Sequence, residues 1–367
     1  MADVLLHLIE PAAWRAALRE GAVRPASLAD VGFVHLSTPD QVHLPARALF
    51  PGRRDVALLV VDPVRLPDPV RFESGRPEDP AGMLFPHLYG PLPVTAVVAV
   101  VPYRSPLPPL PSPGDVLGRA VAFYASLPVR RAVGLGDVPG GIAVLDPDHV
   151  RSHDNNRLLF LEPVDAATVD AAAEEVGGNA GWPHRAAWLG WPGAETTAAD
   201  LRDRGWQTEE LVLMARTGPA PTGDVARVEV VAQPEVHDFW ERSWREGLAH
   251  LGPDLDRAVA DLVGREHLND RVVAVTDLVV REDDRVVASA QLRVDGATAA
   301  VDSVVTDPAA RGHGHADALL RRALQLADDA GCDLVVLEAA GDDWPQHWYA
   351  RRGFADVGRA WSVSRGA

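Results

Sequence analysis

Two sets of residues have types and spacings that could do chemistry. The first is Arg311-Gly312-His313-Gly314-His315-Ala316, which follows an apolar, strand-like run and opens a helical one. Two glycines in such a turn let backbone N–H groups approach an anion, and a helix N-terminus adds partial positive charge. Phosphate oxygens are the natural ligand. The spacing is not the Gly-x-Gly-x-x-Gly of a dinucleotide-binding turn, and no Gly-Lys-Ser/Thr marks a nucleoside-triphosphate loop. The second set is three histidines that interrupt apolar runs: His7 in Leu5-Leu6-His7-Leu8-Ile9, His35 in Phe33-Val34-His35-Leu36-Ser37, and His87 in Phe85-Pro86-His87-Leu88-Tyr89. With Arg24, Ser37 and Tyr89 they are expected to share a cleft. Their spacing fits no zinc pattern, and no metal site is expected.

The Gly-rich turn needs a sheet before it and a helix behind it. Val272–Glu282, Arg285–Val294 and Ala299–Thr306 read as strands, separated by turns at Asp283-Asp284 and Asp295-Gly296, which predicts an antiparallel meander. After the turn, Leu320, Ala323, Leu324 and Ala327 fall on one helical face, and Gly331 ends the helix. A β-rich run at Asp333–Glu338, a short helix at Asp343–Arg351 and a last strand through Val363 complete this block. Upstream, Arg104–Asp115 holds five prolines and reads as an extended linker. A second break lies at Thr217–Asp224. The expected units are therefore 1–103, a linker at 104–116, 117–217, and 224–367. Residues 1–103 read as short strands with one helix, Pro11–Glu20.

Composition limits the partners. The chain has 35 basic residues, all Arg, against 52 acidic ones, for a net charge of −17. That argues against nucleic acid or an anionic membrane. Residues 1–103 carry 11 acids and 9 Arg (net −2), and residues 224–367 carry 26 acids and 16 Arg (net −10). The acidity sits mainly on the C-terminal part, where it suits a cationic co-substrate or is a solvated acidic surface. Cys332 is the only cysteine, so no intrachain disulfide forms and a reducing cytoplasm fits. No apolar run approaches the ~20 residues of a membrane span. The first residues lack a basic segment followed by a long apolar one, so no signal peptide is expected.

The loop and its surroundings resemble the GNAT acetyltransferases. That family's Gln/Arg-x-x-Gly-x-Gly/Ala signature is met at Arg311, Gly314 and Ala316, and its Tyr-x-x-x-Gly-Phe segment at Tyr349-Ala350-Arg351-Arg352-Gly353-Phe354. The resemblance implies a mixed, splayed α/β sheet flanked by helices. It implies acetyl-CoA as cosubstrate, with the diphosphate on the amides of Arg311–Ala316 and the pantetheine arm along Ser303-Val304-Val305. Tyr349 would protonate the leaving thiolate, a role suited to a phenol that is neutral at pH 7. An attacking amine must lose a proton, which a carboxylate accepts directly or through water. Glu338 is the best-placed candidate, followed by Asp302. Two residues depart from the pattern. Asp317 puts a negative charge in the helix's first turn, beside the expected diphosphate, although an acid there also suits the helix dipole. His315 replaces a usual aliphatic residue. Arg321 and Arg322 could offset the charge or form a solvated face.

Residues 117–217 are similar to a second, worn copy. Asp203-Arg204-Gly205-Trp206 echoes Arg351-Arg352-Gly353-Phe354, but the signature turn is missing and Leu201 stands in place of the tyrosine. A tandem GNAT arrangement is implied, with no acetyl-CoA site in this copy. Its polar run Ser152-His153-Asp154-Asn155-Asn156 is a turn or an acceptor-binding loop. Residues 1–103 resemble a small bacterial family of unknown function with Phe-Ile/Val-His-Leu-Ser and Phe-x-His-Leu-Tyr-Gly marks. That resemblance implies an ADP-ribosyltransferase-like fold with His7 and His35 lining an NAD cleft. Three functions follow as expectations: N-acetyl transfer to a small-molecule or other primary amine, a non-catalytic CoA-binding sensor or scaffold, or NAD-dependent chemistry in the N-terminal domain.

Overall fold

Alternating apolar strands, amphipathic helices and glycine-marked turns give an α/β chain of three packed parts. The computed structural model describes residues 3–75 and 83–366. In the first part, β1 (Leu5–Ile9) leads through α1 (Pro11–Glu20) to β2 (Ala22–Val23) and α2 (Ala26–Asp30). Then follow β3 (Val34–His35), α3 (His43–Leu49), β4 (Ala57–Val61), β5 (Val70–Glu73), β6 (Phe85–Leu88), β7 (Leu92–Pro93) and β8 (Val97–Pro102). Antiparallel sheets run in the orders β1-β4-β8 and β3-β6-β5. α1 begins at Pro11 and is closed by Gly21 in the left-handed conformation at φ 81°, as its composition predicts. α2 and α3 were not expected. At five and seven residues they are too short to display a helical period.

The middle part is α4 (Val116–Arg131), β9 (Gly134–Val138), β10 (Gly141–Leu145), β11 (Arg157–Phe160), α5 (Ala166–Ala180), β12 (His184–Leu189), α6 (Ala194–Asp203) and β13 (Gln207–Thr217). The C-terminal part is β14 (Val228–Val231), α7 (Pro234–Gly247), α8 (Leu255–Gly264), β15 (Ala274–Glu282), β16 (Arg285–Asp295), β17 (Thr298–Thr306), α9 (His315–Asp329), β18 (Leu334–Ala340), α10 (Pro345–Ala350) and β19 (Ala355–Gly366). The expected meander is present as β15-β16-β17, with Asp283 and Asp284 both left-handed in its first turn. From β9 onward, the two parts repeat the same order of elements.

They do not form two separate sheets. All their strands join one eleven-stranded sheet in the order β14-β15-β16-β17-β18-β13-β19-β12-β11-β10-β9. Each copy lends its last strand to the other: β13 pairs with β18, and β19 pairs with β12. On one face α9 buries Leu319, Leu320, Ala323 and Leu324 with Leu337 and Met214. On the other, α4 buries Phe123, Tyr124 and Leu127 with Leu213, Val336 and Trp188. α4 is thus held by strands of both copies. Among the described residues, no helix is long and apolar enough to cross a membrane.

The N-terminal part docks on the β16–β17 turn. The Ala297 N–H donates to the Val97 carbonyl at 2.7 Å, and Thr298 Oγ1 donates to the Val98 carbonyl at 2.8 Å. Gly296, at φ 74°, is required here, because a Cβ would stand 2.4 Å from the Val97 oxygen. Beside it the buried Asp295 accepts from Trp14 Nε1 at 2.8 Å and pairs with Arg130 of α4. One carboxylate therefore ties all three parts together. Asp295→Ala leaves Arg130 as an unpaired buried cation, a change that costs roughly 3–5 kcal/mol. Urea unfolding is expected to show that loss, and a change below about 1 kcal/mol would refute the assignment of this residue as the junction.

Candidate active site

The site begins where two parallel strands part. β17 and β18 are paired only over Thr298–Ala300 and Leu334–Val336. The register with β16 shifts between Ser289 and Gln291, where Ser303 adopts a left-handed φ of 52°. Asp302 Oδ1 holds this bulge by accepting the Ser303 N–H at 2.6 Å and its hydroxyl at 3.2 Å. Beyond Ala300, no strand pairs with β17 on its β18 side among the described residues. Main-chain groups along Val301–Thr306, including Ser303, Val304 and Val305, therefore border a wedge between the strands.

The Gly-rich turn lies at the end of β17. Residues 311–314 are exposed, and Gly312 and Gly314 have φ values of 83° and 78°. A Cβ at either position would meet nothing within 4 Å, so the surface in front of them is open. Among the described residues, the N–H groups of Gly312, His313 and Gly314 find no acceptor. Gly314 is the N-cap of α9, whose first-turn amides at His315, Ala316 and Asp317 are unpaired by helix geometry. Arg311 turns back, with Nε 3.4 Å from the Thr306 carbonyl. The result is a row of main-chain donors at a helix end, beside a gap between strands.

The Asp317 charge beside this row of donors is compensated. Arg352, one turn beyond Tyr349, donates to Asp317 Oδ1, and its guanidinium lies 3.9 Å from the Trp348 ring centroid. Arg321 instead donates to the Asp224 carbonyl at 3.1 Å. His315 is buried, with Nε2 2.9 Å from Glu282 Oε1, while His313 Nδ1 is 3.4 Å from the same oxygen. The three side chains present ligand-type atoms within 4.8 Å of one another, a group able to hold a metal ion. Sequence spacing did not suggest this group, since Glu282 comes from β15, about thirty residues upstream.

The acid–base candidates come from both faces of the sheet: Glu338 meets Trp188 on the α4 face, and Tyr349 belongs to the core on the α9 face. Burial pushes the Glu338 carboxyl up to about 7, with the Arg157 charge pulling the other way. Trp188 Nε1, from β12 of the middle part, donates to Glu338 Oε1 at 3.2 Å. Asp302 is engaged by Arg293 Nη1 at 2.5 Å, and Arg293 also donates to Gln291 at 2.5 Å. Glu338 is thereby poised to exchange a proton near neutral pH. Tyr349 is buried, edge-on to Trp348 and Phe354, and burial, then the Asp302 charge, raises its hydroxyl further above the ordinary value. It is a neutral donor across the working pH range. Tyr124 of α4 is raised in the same way, with the Glu338 and Asp302 charges next after burial among the causes. Sequence reading missed Tyr124, Trp188 and Arg352. The first two look like ordinary core aromatics, and no spacing links them to the loop.

The other sequence-derived sites are distributed as follows. Leu201 in the worn copy is fully buried, and the Glu162-Pro163-Val164-Asp165 turn there carries no glycine. The Ser152–Asn156 run is an interdomain turn: Ser152 Oγ accepts from Arg265 at 2.6 Å, Asp154 pairs with Arg265 at 2.8 Å, and Asn155 Oδ1 accepts from Arg131 at 3.1 Å. In the N-terminal part, His7, Arg24, His35 and Ser37 line one cleft of about 910 Å³. His87 and Tyr89 are not among its lining residues. His87 stacks on Phe33 at 4.0 Å, and Tyr89 donates to Glu73 at 2.7 Å. Burial lowers His7 and His35 below the usual histidine value.

Comparison with known proteins gives this geometry a context. Residues 234–354 match the Acetyltransferase (GNAT) family, and residues 8–100 match a protein family of unknown function, DUF952. A rice protein, Oryza sativa subsp. japonica "Probable glucosamine 6-phosphate N-acetyltransferase 2", is 27% identical over 162 residues, covering 40% of this chain and 96% of that protein. A solved GCN5-related N-acetyltransferase from Kribbella flavida is 21% identical, covering 69% of this chain and 96% of that one, with a TM-score of 0.49. A solved Caulobacter crescentus protein is 33% identical, covering 27% of this chain and 84% of that one, with a TM-score of 0.24. Residues 234–354 thus carry the likeness to the GNAT acetyltransferases, and the protein is an acyltransferase.

Proposed function

We propose that this enzyme moves the acetyl group of acetyl-CoA to a primary amine by direct attack. The observation that carries the reading is the row of unpaired N–H groups from Gly312 into the first turn of α9, open to solvent and beside the β17–β18 wedge. Such donors suit a diphosphate, and Arg352 offsets the nearby Asp317. The free edge of β17 suits the amides of a pantetheine arm, which would lead the thioester toward Glu338 and Tyr349. Glu338 takes the proton of the attacking amine, directly or through water, and Tyr349 returns one to the departing thiolate. Main-chain donors near the Ser303 bulge polarise the thioester carbonyl.

The acceptor is proposed only as an amine. The chain's acidic balance favours a cation. Glucosamine 6-phosphate, from the name of the rice relative, belongs in a first panel with simple alkylamines, amino acids and other amino sugars. Release of CoA thiol, measured across that panel, is the test. Turnover confined to one class of amine is the expected result. Acetyl-CoA binding without thiol release from any amine would replace this reading with that of a CoA-binding sensor.

A further inference from the structure

A second cavity, of about 480 Å³, lies between the Pro-rich segment, α4 and the middle part. Its size falls within the range of small-ligand sites. Leu117 and Val121 of α4, Leu159 of β11, Leu161 just beyond it, and Trp361 of β19 give it mostly apolar walls. Gly190 and Trp191, which follow β12, also line it. By element order β11 and β12 correspond to β17 and β18, so the cavity occupies the worn copy's counterpart of the acyl-transfer wedge. The two strands stay paired to their ends here, with the Gly190 N–H donating to the Phe160 carbonyl at 2.9 Å. With no Gly-rich turn before α5, a CoA diphosphate has no cradle.

Two of the lining residues carry polar groups without partners. Arg104 Nε and Nη2 and Trp361 Nε1 are buried and find no acceptor among the described residues. Arg104 Nη1 lies 4.0 Å from Asp137 Oδ1, a carboxylate that also pairs with Arg54. Of the other charges on the wall, Arg359 pairs with Asp356 and Glu210, Asp115 caps α4 by accepting the Gly118 N–H at 2.8 Å, and Glu195 is exposed to solvent. Buried N–H donors in folded proteins are almost always satisfied, and an orphaned guanidinium is the costliest kind to leave. An apolar chamber with an under-neutralised arginine on its wall suits one class of molecule, an anion with an apolar body.

We propose that this cavity binds a small carboxylic acid, its carboxylate meeting Arg104 after a modest side-chain rotation and its apolar body lying along Leu159, Leu161 and Trp361. The middle part would then have kept a ligand chamber while losing the CoA cradle.

Calorimetric titration of the full chain with octanoate, and with 1-octanol as the uncharged analogue, tests this. One octanoate is expected to bind per chain, with 1-octanol at least tenfold weaker. A hydrogen-bonded charge contributes about 1.5–3 kcal/mol, so Arg104→Gln should weaken octanoate roughly tenfold to a hundredfold and leave 1-octanol unchanged. Val121→Phe and Leu161→Trp fill the chamber from opposite walls. Whichever retains the wild-type circular dichroism spectrum should lose both ligands. Absence of saturable octanoate binding, equal binding of acid and alcohol, or wild-type affinity in a folded chamber-filling variant would overturn the proposal. None of these residues belongs to the acetyl-CoA loop, so acetyl-CoA binding should not change.

Discussion

Gly314→Glu is expected to weaken acetyl-CoA binding by at least about a hundredfold while the protein remains folded. Two independent penalties combine. Gly314 sits at φ 78°, where a side chain is strained by on the order of 1–3 kcal/mol, so the free turn of a variant relaxes out of this geometry and binding must restore it. The new carboxylate would also stand at the helix mouth, where a diphosphate about 4 Å away is repelled by roughly 4 kcal/mol at an effective dielectric near 20. Open solvent surrounds the position, so the core is not disturbed. Titration calorimetry with acetyl-CoA measures the effect. Gly314→Ala, which carries only the strain, should lose about tenfold. Wild-type affinity in the glutamate variant would rule out this turn as the diphosphate site.

Glu338→Gln is expected to lower kcat by roughly 10²–10⁴-fold, the usual range for losing a positioned general base. The pH dependence gives a sharper signature. With its carboxyl pushed up to about 7, Glu338 is an active base only above that pH. In the wild type, kcat/KM should therefore rise about tenfold per pH unit below 7 and level off above it, and the glutamine variant should lose that limb. Stability should respond in the opposite sense. A carboxyl raised in the folded state weakens folding as pH climbs from its unfolded value to about 7, and this penalty is absent in acid. The variant should thus be as stable as the wild type near pH 5 and no less stable at pH 8. A glutamine variant that is inactive and also clearly less stable at pH 8 would mark Glu338 as a structural residue instead.

The parts of this site that lie close together in the chain were legible from residue types. The turn from Arg311 to Ala316, the meander before it and the helix after it are local features, set by glycine conformations, paired turn residues and a repeating apolar face. α1 was readable for the same reason, because its proline start and glycine stop are adjacent to its apolar stripe. α4 escaped notice although it has sixteen residues, because it is buried on several sides and carries no clean stripe. Of the N-terminal residues singled out, His7 and His35 share the cleft, whereas His87 faces Phe33 and Glu73. Alternation within a strand says which residues share a face, not which faces meet.

What the linear order of residues decided, then, is the Gly-rich turn at the start of α9, the sequence of strands and helices around it, and the repetition of that sequence in the middle of the chain. Folding decided which strands became neighbours. The exchange of β13 and β19 has no local signal, since both are apolar-patterned strands able to pair with either copy. In the shared sheet, Trp188 of the worn copy reaches Glu338 of the C-terminal one. Packing elsewhere brings Arg352 to Asp317 and gathers a tryptophan and an arginine from two other parts around Asp295. Hydrogen bonds and ion pairs act over a few ångströms in space, and only the packed chain brings residues separated by up to 281 positions within that distance.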